Sequence, residues 1–209
     1  NGDSAWLCTS GGGNNTHGVL RLVNIDHGRD ISRGPYVDIV LGRTSITDKG
    51  SLNANGDYVP TAKTICEAVG VTVDAEGNVW VADKQPSQDG IGTRLLKFNA
   101  STIPPAPAAT VYAIPASAVY GTNGSFTIPS GGDLGAHPFI PAFDGAGRCV
   151  TGTNPYTGSL FPMVYMNYRE NIHPQLALGD KYGFIFDQMF DPEGNLYLAD
   201  RNWNRILIY

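Results

Sequence analysis

The chain has 209 residues, 42% of them hydrophobic and 16% charged, with a formal net charge of −5. That is enough apolar chain for one buried core, and it lacks the basic excess that a nucleic-acid binder needs to neutralise phosphates. No apolar run approaches the ~20 residues of a membrane-spanning helix. Its 26 glycines and 14 prolines punctuate short apolar runs instead of forming tracts.

Taken in order, those runs predict fourteen strands in groups of three, four, four and three. The first group lies near 5–9, 19–24 and 36–41, the second near 69–73, 79–83, 94–99 and 110–114. The third lies near 138–143, 149–153, 162–167 and 175–178, and the last near 184–190, 196–200 and 205–209. No segment carries a helical period. Leu196-Tyr197-Leu198-Ala199 and Ile206-Leu207-Ile208-Tyr209 do not alternate between apolar and polar. Both faces of their sheet are therefore expected to be buried between similar sheets.

One phrase organises the chain. Asp191-Pro192-Glu193-Gly194 has the residue preferences of a type I turn closed by a position at positive φ. It recurs as Asp74-Ala75-Glu76-Gly77 and, degraded, as Asp144-Gly145-Ala146-Gly147, and the chain opens inside a fourth copy near Gly2. Internal repetition of one strand-turn-strand unit is the signature of a propeller or solenoid. Asn195 to Ile206, and Asn78 to Leu95 with a longer loop, resemble the repeats of NHL-repeat β-propellers. Those repeats read Asp-x-x-Gly-Asn, an apolar strand ending Ala-Asp, then Asn-Arg-Ile and a second strand. Asp38-Ile39-Val40-Leu41-Gly42 is similar to the Val-Leu-Gly strand between repeats of bacterial members.

The resemblance implies an all-β fold, a β-propeller of four-stranded antiparallel blades, with about four blades visible and the first and last incomplete. The expected blades span about 1–42, 68–115, 137–179 and 183–209 of a single partial propeller domain, 1–209. Long loops at 42–67 and 115–137 would join the outermost strand of one blade to the innermost of the next. The first blade would lack its inner strand and the last its outer one. Two expectations follow: the sequence is part of a longer chain, or neighbouring copies supply the missing strands and build an extracellular fibre.

A bare blade needs about 40–45 residues, and the surplus here falls in the two long loops. Loops of such length in a compact domain are commonly functional. Antiparallel alternation puts them on one face with the connections at 10–18, 84–93, 154–160 and 201–204. That face is the expected binding surface for a protein or glycan, with Tyr58, Tyr120, Phe126, Tyr156 and Trp203 as aromatic anchors. The competing expectation is that each aromatic pins down its own loop. Low charge, much Gly, Asn and Thr, and the repeat type point to a secreted, extracellular protein acting as a binding or assembly scaffold. Glycosylation sequons begin at Asn14, Asn99 and Asn123, no clear excess over what the composition predicts.

Asp83 and Asp200 end their strands, and Arg94 and Arg205 begin the next ones. In the other two repeats these places are held by Thr9 with Gly18 and by Thr153 with Pro162, so acid and base come and go together. That pattern predicts an ion pair bracing the loop within a blade, not a catalytic carboxylate. The histidines at 17, 27, 137 and 173 have no local metal-ligand spacing. Some NHL relatives, the peptidyl-hydroxyglycine lyases, hold a catalytic metal with histidines from several blades. By that resemblance His137 is the candidate zinc ligand of an enzyme alternative. Asn53, Asn55 and Asp57 present alternating oxygens that a calcium ion would fit, as in a lactonase-like alternative, but no terminal bidentate Glu follows. The scaffold reading requires no cofactor. Cys8, Cys66 and Cys149 allow one disulfide with one thiol left over, and sequence does not choose the pair. Cys8 sits where the sharp repeats have Ala82 and Ala199, which makes it a small buried residue.

Overall fold

The computed structural model of the chain describes residues 4–9, 18–25, 34–45, 48, 59–84, 93–105, 109–122, 124–127, 140–151, 163–165, 167–170, 176–178, 185–201 and 203–209. They form fourteen strands in four separate antiparallel sheets, with one 3₁₀ turn at Ala100–Thr102 and no α-helix among the described residues. The first sheet holds β1 (Ser4–Thr9), β2 (Gly18–Val23) and β3 (Tyr36–Leu41). The second holds β4 (Glu67–Val73), β5 (Val79–Lys84), β6 (Thr93–Phe98) and β7 (Ala118–Tyr120). The third holds β8 (Ala142–Phe143), β9 (Cys149–Thr151), β10 (Met163–Tyr165) and β11 (Leu176–Ala177). The fourth holds β12 (Ile185–Phe190), β13 (Leu196–Asp200) and β14 (Arg205–Ile208). Within each sheet the strands follow one another in chain order, and none of the sheets closes on itself.

The recurring phrase joins the first strand to the second in three of these sheets. Between β4 and β5, the Gly77 amide donates to the Asp74 carbonyl at 3.0 Å, and the Asn78 amide donates to Asp74 Oδ1 at 2.9 Å. The Asp144 turn before β9 and the Asp191 turn before β13 repeat both bonds, through Gly147 with Arg148 and through Gly194 with Asn195. The closing glycines sit at φ +81°, +91° and +86°, a region that a side chain disfavours. In each turn the aspartate carboxylate replaces water as the partner of backbone amides, which fixes the first residue of the next strand. Asp74 also accepts from the indole of Trp80 at 2.8 Å, tying the turn to the core.

That register decides which side chain faces which sheet. In β5, Val79 and Val81 pack with Val19, Ile39 and Leu41 of the first sheet. The alternate residues Trp80 and Ala82 turn the other way, onto Cys149, Tyr168 and Phe143. Val150 then faces Leu196 and Leu198 of the fourth sheet. The sheets thus lie face to face in chain order, and the second and third are covered on both sides. Trp80 centres the second contact, its ring 5.0 Å from Tyr120, 4.9 Å from Phe143 and 5.3 Å from Tyr168. Stacked and edge-to-face rings at such spacings add to plain area burial.

Two expectations are corrected. The outer strand of the second sheet is Ala118–Tyr120, not 110–114, so part of the expected loop 115–137 is strand. The earlier run leaves the sheet because Val111 pairs in parallel with Ile39: its amide donates to the Asp38 carbonyl at 2.8 Å and its carbonyl accepts from Val40 at 2.9 Å. Ala113 follows at φ +60°, and Pro115 has no amide to offer a ladder. Secondly, β14 is not buried on both faces. Leu207 packs into the third contact, but Ile206 and Ile208 are 68% and 62% exposed.

Candidate functional site

The expected Asp–Arg positions are the best-defined polar constellation. Asp83, next to last in β5, lies opposite Arg94, second in β6, and both side chains are fully buried. Arg94 Nε donates to Asp83 Oδ2 at 2.9 Å. Its two terminal nitrogens donate to the carbonyls of Thr61 at 3.0 Å, Phe126 at 2.9 Å and Thr64 at 2.6 Å. Asp83 Oδ1 in turn accepts from the amides of Cys66 at 2.8 Å and Glu67 at 3.0 Å. Burial is the larger influence on the Asp83 carboxyl and pushes it upward, opposed by Arg94 and by those two amides. One ion pair therefore clamps chain from both expected long loops onto the second sheet. Its groups are directed at backbone, which leaves no face of the pair toward a substrate.

The related pair in the fourth sheet has a different setting. Arg205 Nε donates to the buried Asp200 carboxylate at 3.1 Å, but the Arg205 side chain is more than a third exposed. Its guanidinium lies 5.4 Å from the ring centre of Trp203, which is itself 66% exposed. Beside them opens a depression of about 680 Å³, lined by Ala199, Asp200, Arg201, Asn204, Arg205 and Ile206. An apolar wall with a guanidinium and an indole at its edge suits contact with a planar or apolar group.

The first sheet uses another solution. Thr9 Oγ1 donates to the Gly18 carbonyl at 3.1 Å where the second and fourth sheets have acid and base. Its own buried pair is Arg21 with Asp38, joined by two bonds of 2.9 and 2.6 Å across β2 and β3. Sequence reasoning missed this pair, because Asp38 sits in a bulge that only the three-dimensional register reveals. The signal available was a lone charge in each of two apolar runs, Arg21 and Asp38.

Of the aromatic anchors, Tyr120 is corrected to a core residue: it lies in β7, buried in the Trp80 cluster, and its hydroxyl donates to the Tyr168 carbonyl at 2.7 Å. Burial raises its phenol to about 12. Phe126 packs against the contact between the first two sheets and holds its loop to Arg94. Tyr58 and Tyr156 lie outside the described residues, as do His137, Asn53, Asn55, Asp57, the other three histidines, and the sequon residues Asn14 and Asn123. Among the described residues no group of three or more His, Cys, Asp or Glu is placed to hold a metal. Cys8, Cys66 and Cys149 are all free thiols. Burial lifts Cys8 to about 11 and, with help from Asp83, Cys66 to about 12, which keeps both protonated and unreactive at neutral pH. Among the described residues no helix is long and apolar enough to cross a membrane.

No protein-family model and no curated protein matches the chain.

Proposed function

We propose that the chain is a partial, NHL-like β-propeller of secreted type, with its sheets as blades, and that it serves as a binding and assembly scaffold. The observation that carries this reading is positional equivalence. Three like turns follow the first strand of three sheets, and at each contact one register position faces backward and the next forward. Units that meet only their neighbours in chain order are what propeller blades and solenoid repeats are. The Asp83–Arg94 clamp supports a scaffold role, since it positions loop backbone. Low charge and a composition rich in Gly, Asn and Thr support secretion. Trp203, exposed beside Arg205, is the residue assigned to contact with a glycan or protein ligand.

An experimental structure tests the fold: β4, β8 and β12 are expected around a common axis, and two flat layers would overturn the blade reading. Calorimetric titration tests the binding, with chito-, xylo- and manno-oligosaccharides and proline-rich peptides as probes. Saturable binding to one probe class should disappear in Trp203→Ala with an unchanged melting temperature. Binding indifferent to that substitution, or turnover of a lactone or of a peptide ending in hydroxyglycine, would overturn it.

A further inference from the structure

In the fourth sheet, sequence pattern and exposure disagree. A sheet with one face turned to water carries polar residues there, whereas β13 and β14 are apolar on both faces between their end residues, and β12 brings the single charge of Asp187 to the open one. Met189 is 59% exposed on the same open face as Ile206 and Ile208, beside the half-buried Tyr197 and Ala199. The repeat shows what such positions do elsewhere. Tyr197, Ala199 and Ile206 hold the places of Trp80, Ala82 and Leu95, which are buried against the third sheet. At the other end of the stack, Leu7 is 45% exposed on the face of the first sheet turned away from the second, paired with Leu20 and flanked by Ala5 opposite Leu22. Leu7 holds the place of Val81, which is buried against the preceding sheet. The two open faces are therefore the forward and backward halves of a contact that the chain makes three times within itself.

From this we infer that a second copy of the chain covers the open face: the fourth sheet of one molecule stacks on the first sheet of the next. Leu7 of the incoming copy enters the depression beside Ala199, Arg205 and Ile206. The two surfaces are different, so the contact is heterologous and assembly proceeds head to tail, as a ring if the rotation closes and as a filament otherwise. This association rests on the exposed sheet faces and the repeat, and it fills the depression beside Trp203, so an incoming copy and a ligand would compete there. Association is therefore read without ligand and ligand binding in the monomeric Leu7→Asp variant, which keeps the two failures distinguishable.

Sedimentation equilibrium of the 209-residue chain tests it, with Leu7→Asp, Ile206→Asp and their equimolar mixture. Both side chains are solvent-exposed in the single molecule, and circular dichroism checks that strand content is unchanged. The unsubstituted chain is expected to form dimers and larger species by about 100 μM. Each variant should lose at least about a hundredfold in association, because an unpaired carboxylate is trapped in an apolar contact. Mixing the two variants should restore dimers and nothing larger, since one intact pair of faces remains. An unsubstituted chain that is monomeric at about 1 mM would overturn the inference. So would a Leu7→Asp variant that still dimerises while Ile206→Asp does not and mixing restores nothing, which is the signature of two fourth sheets meeting symmetrically.

Discussion

Replacing Arg94 by alanine should be among the most damaging single changes in the second sheet. The substitution removes four hydrogen bonds at once and leaves the fully buried Asp83 carboxylate without a counter-charge. Removing one partner of a buried ion pair costs about 3–5 kcal/mol, and three part-buried carbonyls losing their donor add to the loss. The matching change in the fourth sheet, Arg205→Ala, also strips the counter-charge from a buried carboxylate, but the lost guanidinium is 39% exposed, so water can take its place beside Asp200 and the loss should stay within about 1 kcal/mol. Urea unfolding followed by circular dichroism separates the two. At a slope of about 2 kcal/mol per molar urea, Arg94→Ala should lower the midpoint by about 2 M and Arg205→Ala by less than about 0.5 M. Arg94→Lys, which keeps the charge but not the fork, should fall between them. Limited proteolysis adds a local readout, because Thr61, Thr64 and Phe126 lose their tether only in the first variant. Equal midpoints for the two alanine variants would refute the reasoning.

The turn glycines make a second test. Gly77→Ala places a side chain at φ +81° with no clash nearer than 3.6 Å, so the loss of about 1–2 kcal/mol in melting experiments would be backbone strain alone. Gly145→Ala, with open space around it, should be neutral or slightly stabilising. A third test is electrostatic. Its hydrogen bond with Arg169, helped by Tyr168, holds the Glu76 carboxyl below the usual carboxylate range. Since the folded value lies below the unfolded one, the contribution is present above about pH 4.3 and is lost as pH falls through the folded value. In a carboxyl-carbon NMR titration, Arg169→Met should return Glu76 toward about 4.3, and an unmoved resonance would count against the pair.

The strand pattern was legible because three of the four sheets place the same turn, with its Asp and its positive-φ Gly, after their first strand, and because apolar runs of five or six residues leave little choice of element. The outer strand of the second sheet was not legible. Thr110 to Ile114 is the more strand-like run, and only its parallel pairing with Ile39 shows that it belongs elsewhere. Tyr120 was misplaced by the same error, since a residue assigned to a loop looks like a surface anchor. The ion pairs divide the same way. Asp83 with Arg94 recurs as Asp200 with Arg205 at fixed places in the repeat, so the pairing could be read. Arg21 with Asp38 has no counterpart in the other repeats and depends on a bulge. The open face of β14 shows the limit of pattern reading: apolar residues on both sides say that a cover is wanted, not whether one is in place.

The bridge between Ile39 and Val111, made by hydrogen bonds from Val111 to Asp38 and from Val40 to Val111, imposes a timetable on the growing polypeptide. Until its partner emerges, β3 offers bare amide and carbonyl groups to any extended chain nearby. That partner is made 72 residues later (111 − 39), a delay of roughly 4–14 s at ordinary rates of synthesis. A ribosome halted within this interval holds out an unguarded edge, and one that has passed it has sealed the edge with its own product.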